Sequence, residues 1–274
     1  MTATCLRVAA CQMVSGADVE ANLAAARRLI AQAAEAGARL VALPEYFCLM
    51  GMNEADKLAR REPLGAGPLQ DFLAGEAARH GIWLAGGTIP LAAAEPGRVL
   101  NTTLVFNPRG ERVARYDKIH LFAFSRGAES YDEARTIAPG GSVSTFTIEE
   151  ASGLRIKVGL SVCYDLRFPE LYRAMGRPDL ILVPAAFTAT TGRAHWETLL
   201  RARAVENLCY VLAPAQGGVH ENGRATHGHS CLIDPWGRVL EVHAEGEGVV
   251  IGDLDVGLIA DLRSSLPALD HRVL

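Results

Sequence analysis

Two short apolar runs, each stopped by a proline, do most to limit how this chain can fold: RLVALPEY at residues 39–46 and DLILVPAA at residues 179–186. Four or five unbroken apolar residues read as a strand covered on both faces, which demands packed layers on either side of its sheet. Pro44 and Pro184 lack the N–H that would continue the ladder, so each strand stops there, and Glu45 is left at the carboxyl end of the first. Around these runs the pattern alternates. LRVAACQ is another buried strand, and Asp18 precedes a helical spacing of Val19, Leu23, Ala26, Ile30 and Ala33 that Gly37 ends. PLQDFLAGEAARHG then reads as a helix and IWLAGGTI as a strand, giving the order β, α, β, α, β.

The halves echo each other a second time. NTTLVFNPRGERVARYDK and CLIDPWGRVLEVH each pair an apolar run, a Pro-x-Gly turn and a second strand, as a hairpin does. Two related α/β layers with no Gly/Ser-rich or Pro-rich spacer between them predict one domain over residues 1–274, of α/β class with mixed sheets.

Composition narrows the function. With 274 residues, 49 % hydrophobic and 21 % charged, the chain can build a large core, and a net charge of −4 offers no basic face to nucleic acid or to an anionic membrane. MTATCLRVAACQ lacks the basic leader and long apolar run of a secretory signal, and no stretch reaches spanning length. Cys5, Cys11, Cys48, Cys163, Cys209 and Cys231 are scattered without paired spacing, which argues against a disulfide framework and a zinc ribbon. Reduced thiols in a cytoplasmic protein are the expectation.

One of those cysteines has an unusual address. In SVCYDLRFPELYR, residues 161–173, Cys163 follows the strand-forming RIKVGLSV, and a helical pattern begins at once. A thiol inside a strand is a packing residue, whereas one at a helix N-terminus faces backbone N–H groups that favour its thiolate. A free thiol of pKa about 8.5 is only slightly ionised near neutrality, so attack on a carbonyl needs a base and a positive neighbour. Glu45 supplies a base. Lys118, an uncommon lysine at a strand end in RYDKIHLF, supplies a cation to hold the oxyanion, assisted by the N–H of Tyr164. Taken singly, each residue has an ordinary reading: a loop acid, a snorkelling or salt-bridged lysine, a packed thiol.

The succession LRVAACQM, LPEYF, YDKIHLF, SVCYDLRFPELYR, PAAFTATTGRAHWETLLRARAVEN and GHSCLIDPWGRVL covers nearly the whole chain and resembles the nitrilase-like carbon–nitrogen hydrolases. The resemblance implies a four-layer αββα sandwich of two mixed β-sheets flanked by helices, with Glu45 as general base, Lys118 as oxyanion holder and Cys163 as nucleophile. It implies no metal and no organic cofactor. A second glutamate, which orients the lysine and the leaving ammonia, falls on Glu133 when the family pattern is laid on YDEARTIAPG without a gap, although Ala134 and Arg135 depart from it. Glu129, in AESYDE, is the competing position.

Within the family, AHWETLLRARAVENLCYVLAPAQGG, HENGRATHGHS and LPALDHR look most like the amidases that act on deaminated glutathione, with the omega-amidases of 2-oxoglutaramate and 2-oxosuccinamate as the alternative. Both imply a small-molecule amide substrate with a 2-oxo acid end. Arg167 could bind that carboxylate through its planar fork, or salt-bridge to Glu170. Phe187 and Thr191 match acyl-pocket positions, with helix capping as the other role for Thr191. His120 and Trp196 read as packing residues. In residues 193–206, Trp196, Leu199, Leu200, Arg201 and Arg203 form a mixed face suited to a homodimer contact.

Three competing readings remain. His227, His229 and Cys231 alternate along ATHGHSCLI, so in a strand they would share one face, as metal ligands do, although no fourth ligand is evident. Cys163 could instead pair with His195 or His227, as in Cys–His hydrolases. The chain could also be a binding module that keeps the fold without the chemistry.

Overall fold

A computed structural model describes residues 4–127 and 129–273; the N-terminal reading above therefore lies partly outside the described residues. The two proline-stopped runs become the three-residue strands Leu40–Ala42 and Leu180–Leu182, each central in its own sheet. In the first sheet, Leu40–Ala42 pairs in parallel with Cys5–Gln12 and Trp83–Ala85. Gly248–Asp255 is antiparallel at one edge, and Val99–Phe106 with Ile89–Ala92 and Arg112–Asp117 completes seven strands. In the second, Leu180–Leu182 is parallel to Arg155–Leu160 and Tyr210–Ala213, and Thr145–Glu149, Ser230–Ile233 and Val239–His243 add antiparallel pairings for six strands. Both sheets are mixed.

Period-two alternation assigns the layers. Val8, Ala10, Leu40, Ala42, Trp83 and Ala85 point toward the second sheet, where they meet Ile156, Val158, Leu160 and Leu182. The intervening Ala9, Cys11, Val41 and Leu84 face Leu23, Ala26, Leu29, Ile30 and Ala33 of the helix Val19–Glu35 and Leu73 and Ala77 of the helix Pro68–His80. The helix Ala189–Asn207 covers the far side of the second sheet with Trp196, Leu200 and Ala204. Helix, sheet, sheet, helix is thus the order of layers, as the nitrilase-like resemblance implied.

Local signals act where expected. Asp18 caps its helix by accepting from the N–H groups of Glu20 and Ala21, and Gly81 takes the left-handed conformation that ends the next one. The two echoing hairpins turn alike: Asn107 Oδ1 accepts from the N–H groups of Arg109 and Glu111, and Asp234 Oδ1 from those of Trp236 and Arg238. The proposed contact face at residues 193–206 needs correction. Trp196, Leu200 and Arg203 are buried, the last donating through Nε and Nη2 to the Leu166 carbonyl at 3.0 and 2.7 Å, because this face packs on the sheet. Among the described residues no helix is long and apolar enough to cross a membrane.

Candidate active site

The strands of the two sheets end beside one another, and that brings the chemistry together. Glu45 lies three residues past Leu40–Ala42, Lys118 immediately follows Arg112–Asp117, and Cys163 lies three past Arg155–Leu160. The matching prolines complete the junction: the Cys163 N–H donates to the Pro184 carbonyl at 2.9 Å, and the Ala186 N–H donates to Glu45 Oε2 at 2.9 Å. Glu45 Oε1 accepts from Lys118 Nζ and from Asn101 Nδ2, both at 2.9 Å. Lys118 Nζ also reaches Glu133 at 2.8 Å, and Glu45 and Lys118 are fully buried. The Glu133 carboxylate accepts further from the Tyr46 hydroxyl and the Phe122 N–H, both at 2.8 Å.

A lysine shared by two buried carboxylates shifts the charges in a definite direction. Burial opposes the ammonium, but Glu133 and Glu45 together hold the Lys118 pKa above its ordinary value. For Glu133 burial pushes upward, and the Lys118 ammonium with the Phe122 N–H outweighs it, leaving the carboxyl below its usual range. Cys163 goes the other way: burial, then the Glu45 carboxylate, push its thiol well above the ordinary value against the pull of Lys118. The resting group is a neutral thiol beside a carboxylate. Burial pushes the thiol of Cys11 up to about 12, and burial followed by the charge of Glu62 or Glu197 does the same for Cys48 and Cys231, yet none of these has a base and a cation for company.

The helix seat expected for Cys163 is different in form. Cys163–Arg167 is a 3₁₀ turn, and the α-helix starts only at Pro169, so the sulfur gains no thiolate from an α-helical N-terminus. Cys163 instead sits at φ 49°, a left-handed conformation that a non-glycine residue keeps only when its surroundings hold it. Asp165 does the holding. Fully buried, it accepts from the Val162 N–H at 2.8 Å, the Tyr116 hydroxyl at 2.7 Å and the His120 N–H at 3.0 Å, and meets His120 Nδ1 at 2.7 Å. His120 is therefore more than packing: it ties the lysine segment to the cysteine turn and stacks on Phe168 at 3.7 Å.

Cys163 opens into a narrow cleft of about 10 Å³, room for about one water, lined by Tyr164, Phe187, Thr191, Glu133 and Arg224 among others. Arg167 lies outside this lining: its guanidinium rests over the Tyr164 and Phe187 rings and is 3.3 Å from His195 Nδ1, with no ion pair to Glu170. Thr188, not Thr191, caps the Ala189–Asn207 helix. Glu129 accepts from Thr190 Oγ1 at 2.8 Å and has no bond to Lys118. Sequence reasoning missed Asn101, Tyr46 and Arg224. A polar residue opening the apolar run NTTLVF was the available signal for Asn101; Arg224, on the turn HENGR, had none of that kind.

The histidines go elsewhere. His195, His227 and His229 line a separate groove of about 790 Å³ that does not include Cys163. His229, at φ 56°, precedes the strand Ser230–Ile233, so the expected alternation of ligands along one strand face does not exist. Among the described residues no group of three or more His, Cys, Asp or Glu is arranged to hold a metal.

Comparison with known proteins gives a consistent result. Residues 7–264 match the carbon–nitrogen hydrolase family. A deaminated glutathione amidase of Synechocystis is 42 % identical over 269 residues, which is 97 % of each chain. The structure of Saccharomyces cerevisiae Nit3, a member of the nitrilase superfamily, superposes with a TM-score of 0.86 at 30 % identity, covering 100 % of this chain and 98 % of that one. An amidase from Nesterenkonia sp. AN1, solved with the acetamide moiety of fluoroacetamide added covalently at its active-site cysteine, gives 0.80 at 26 % identity, with 98 % and 94 % covered.

Proposed function

The chain belongs to the carbon–nitrogen hydrolase family, an enzyme of amide C–N hydrolysis, and from that premise we propose that it cleaves deaminated glutathione to 2-oxoglutarate and cysteinylglycine through a thioester on Cys163. In this reading Glu45 takes the thiol proton as sulfur adds to the amide carbon, and Lys118 with the Tyr164 N–H stabilises the oxyanion. The acid form of Glu45 returns the proton to the leaving amine, which for this substrate is the amino group of cysteinylglycine. Water activated by the same carboxylate then adds to the thioester carbon, releasing the acid and the thiol. Glu133 is a positioning residue that holds Lys118. Tyr164, Phe187 and Thr191 line the acyl pocket, with Arg167 behind the two rings.

The observation that supports this most is a buried thiol at the junction where two carboxylates share a single lysine, since burial and the Glu45 carboxylate push its pKa up and a nucleophile so placed needs the base that lies next to it. The substrate choice rests on the likeness to the deaminated glutathione amidase of Synechocystis, since a 2-oxo acid end is common to both candidate substrates. We further propose one domain over residues 1–274, in the cytoplasm, as a homodimer joined through the exposed apolar side chains of Val205, Trp236 and Val242.

Deaminated glutathione and 2-oxoglutaramate supplied side by side, with 2-oxoglutarate measured for both, test the reading. A higher kcat/KM for deaminated glutathione is expected, with an acyl-enzyme on Cys163 trapped on acid quenching. Turnover of 2-oxoglutaramate alone would make the chain an omega-amidase, and no acylation of Cys163 would end the proposed mechanism.

A further inference from the structure

The cleft beside Cys163 contains a second cation that the proposed mechanism does not use. Arg224 projects from the tight turn at residues 220–224, where the His220 N–H donates to the Arg224 carbonyl at 2.8 Å and Gly223 adopts φ 80°. Its guanidinium lies over the Tyr131 ring, 5.2 Å from the centroid, and Nη2 donates to the Ala186 carbonyl at 2.6 Å. Nε is buried and has no partner among the described residues, and no carboxylate among them forms an ion pair with this arginine. Glu129, the acid on the same hairpin as Tyr131, is turned to Thr190 and leaves its own Oε2 without a partner. A guanidinium carries five donors in a rigid fork, and one left with unmet N–H groups in a narrow cleft is prepared for an anion.

The position of the fork says which part of a substrate it would meet. Ala186 donates through its N–H to Glu45 and accepts through its carbonyl from Arg224, so the arginine stands one residue from the group that protonates the leaving amine. Arg167 is placed differently, over Phe187 and Tyr164, the rings of the acyl pocket. Resting on the thioester reading above, we propose that Arg224 recognises a carboxylate carried by the leaving amine. The site would then select amides of peptide-like acids over primary amides that release only ammonia. For deaminated glutathione this group is the terminal glycine carboxylate of the departing cysteinylglycine.

Three substrates separate this role from a structural one: deaminated glutathione, its derivative with the terminal carboxylate converted to an amide, and 2-oxoglutaramate. In the parent enzyme the derivative should be cleaved about ten- to hundredfold less efficiently than deaminated glutathione, as expected for loss of a charge-assisted pair. Arg224→Gln should erase that preference and lower kcat/KM for deaminated glutathione at least tenfold more than for 2-oxoglutaramate, and Arg224→Lys should restore part of it. An equal loss on all three substrates, or an undiminished preference in R224Q, would overturn the proposal. A second readout is independent of deaminated glutathione turnover. Cysteinylglycine should inhibit 2-oxoglutaramate hydrolysis more strongly than its C-terminal amide does, and R224Q should remove the difference. If the parent enzyme fails to cleave deaminated glutathione yet shows this inhibition pattern, the substrate reading falls and the role of Arg224 stands; equal inhibition by acid and amide overturns the role.

Discussion

Two of the molecule's hollows, one rich in histidine and one beside Cys163, differ in an instructive way. The groove along His195, His227 and His229 is wide, about 790 Å³, and carries the residue types often associated with catalysis and metals. The cleft at Cys163 has room for about one water. Yet the narrow one, lined by Cys163 and Glu133, borders the interlocked charges: a buried lysine between two carboxylates, fixed by Asn101, Tyr46 and two backbone N–H groups. In the wide groove the His227 and His229 rings stack at 4.1 Å, and burial, with His229 and Arg193, pushes the His227 pKa down to about 4. A histidine neutral at physiological pH and stacked on another offers no counter-charge. Chemistry follows desolvated, mutually satisfied charge more than volume.

The contrast is broken most directly by removing the sulfur. Cys163→Ala should lower amide hydrolysis by on the order of 10⁴-fold or more while leaving the thermal midpoint nearly unchanged; measurable turnover after that change, lost instead in His227→Gln, would move the active site to the wide groove. Next in size is Lys118→Met. It leaves Glu45 and Glu133 buried without their shared cation, so a loss of about 3–5 kcal/mol in denaturant unfolding is expected together with an activity loss of about 10²–10³-fold.

A smaller effect sharpens the electrostatic side. The Glu133 pKa is lowered on folding, so its contribution to stability is present above the unfolded value of about 4.3 and is lost as pH falls through the lower folded value. That of Lys118, raised on folding, is complete below about 10.4 and is lost as pH rises through the higher folded value. Glu133→Gln should therefore flatten the acid limb of the unfolding midpoint against pH, and an unchanged acid limb would mean that the pair contributes nothing. The smallest change belongs to the wide groove. His195→Gln and His227→Gln should each alter kcat/KM by less than about threefold, within the range of surface substitutions.

Much of this was legible in the chain itself, and particular residues explain why. Pro44 and Pro184 ended strands on local grounds, Asp18 capped a helix, and the Pro-x-Gly turns reversed the two hairpins, because each of these choices depends on φ, a missing N–H or a neighbour within a few residues. The candidates Glu45, Lys118 and Cys163 came from residue types at strand ends, and Glu133 over Glu129 from an ungapped family pattern. The errors were of another sort. The helix seat of Cys163 and the contact face drawn through Leu200 and Arg203 were local patterns overruled by packing, as was the competing strand alternation of His227 and His229, whereas Trp196 is buried as its packing reading had it.

What the sequence determined alone was therefore an alternation of buried strands and helices, with the residue types needed to attack an amide. Tertiary structure decided which of them meet. Glu45, Asn101, Lys118, Glu133, Cys163 and Ala186 are separated by up to 141 positions, and only the face-to-face packing of two sheets brings their strand ends to one place. The orphaned Nε of Arg224 belongs to the same category, because burial without a partner is a relation among distant segments that no local stretch of sequence can express.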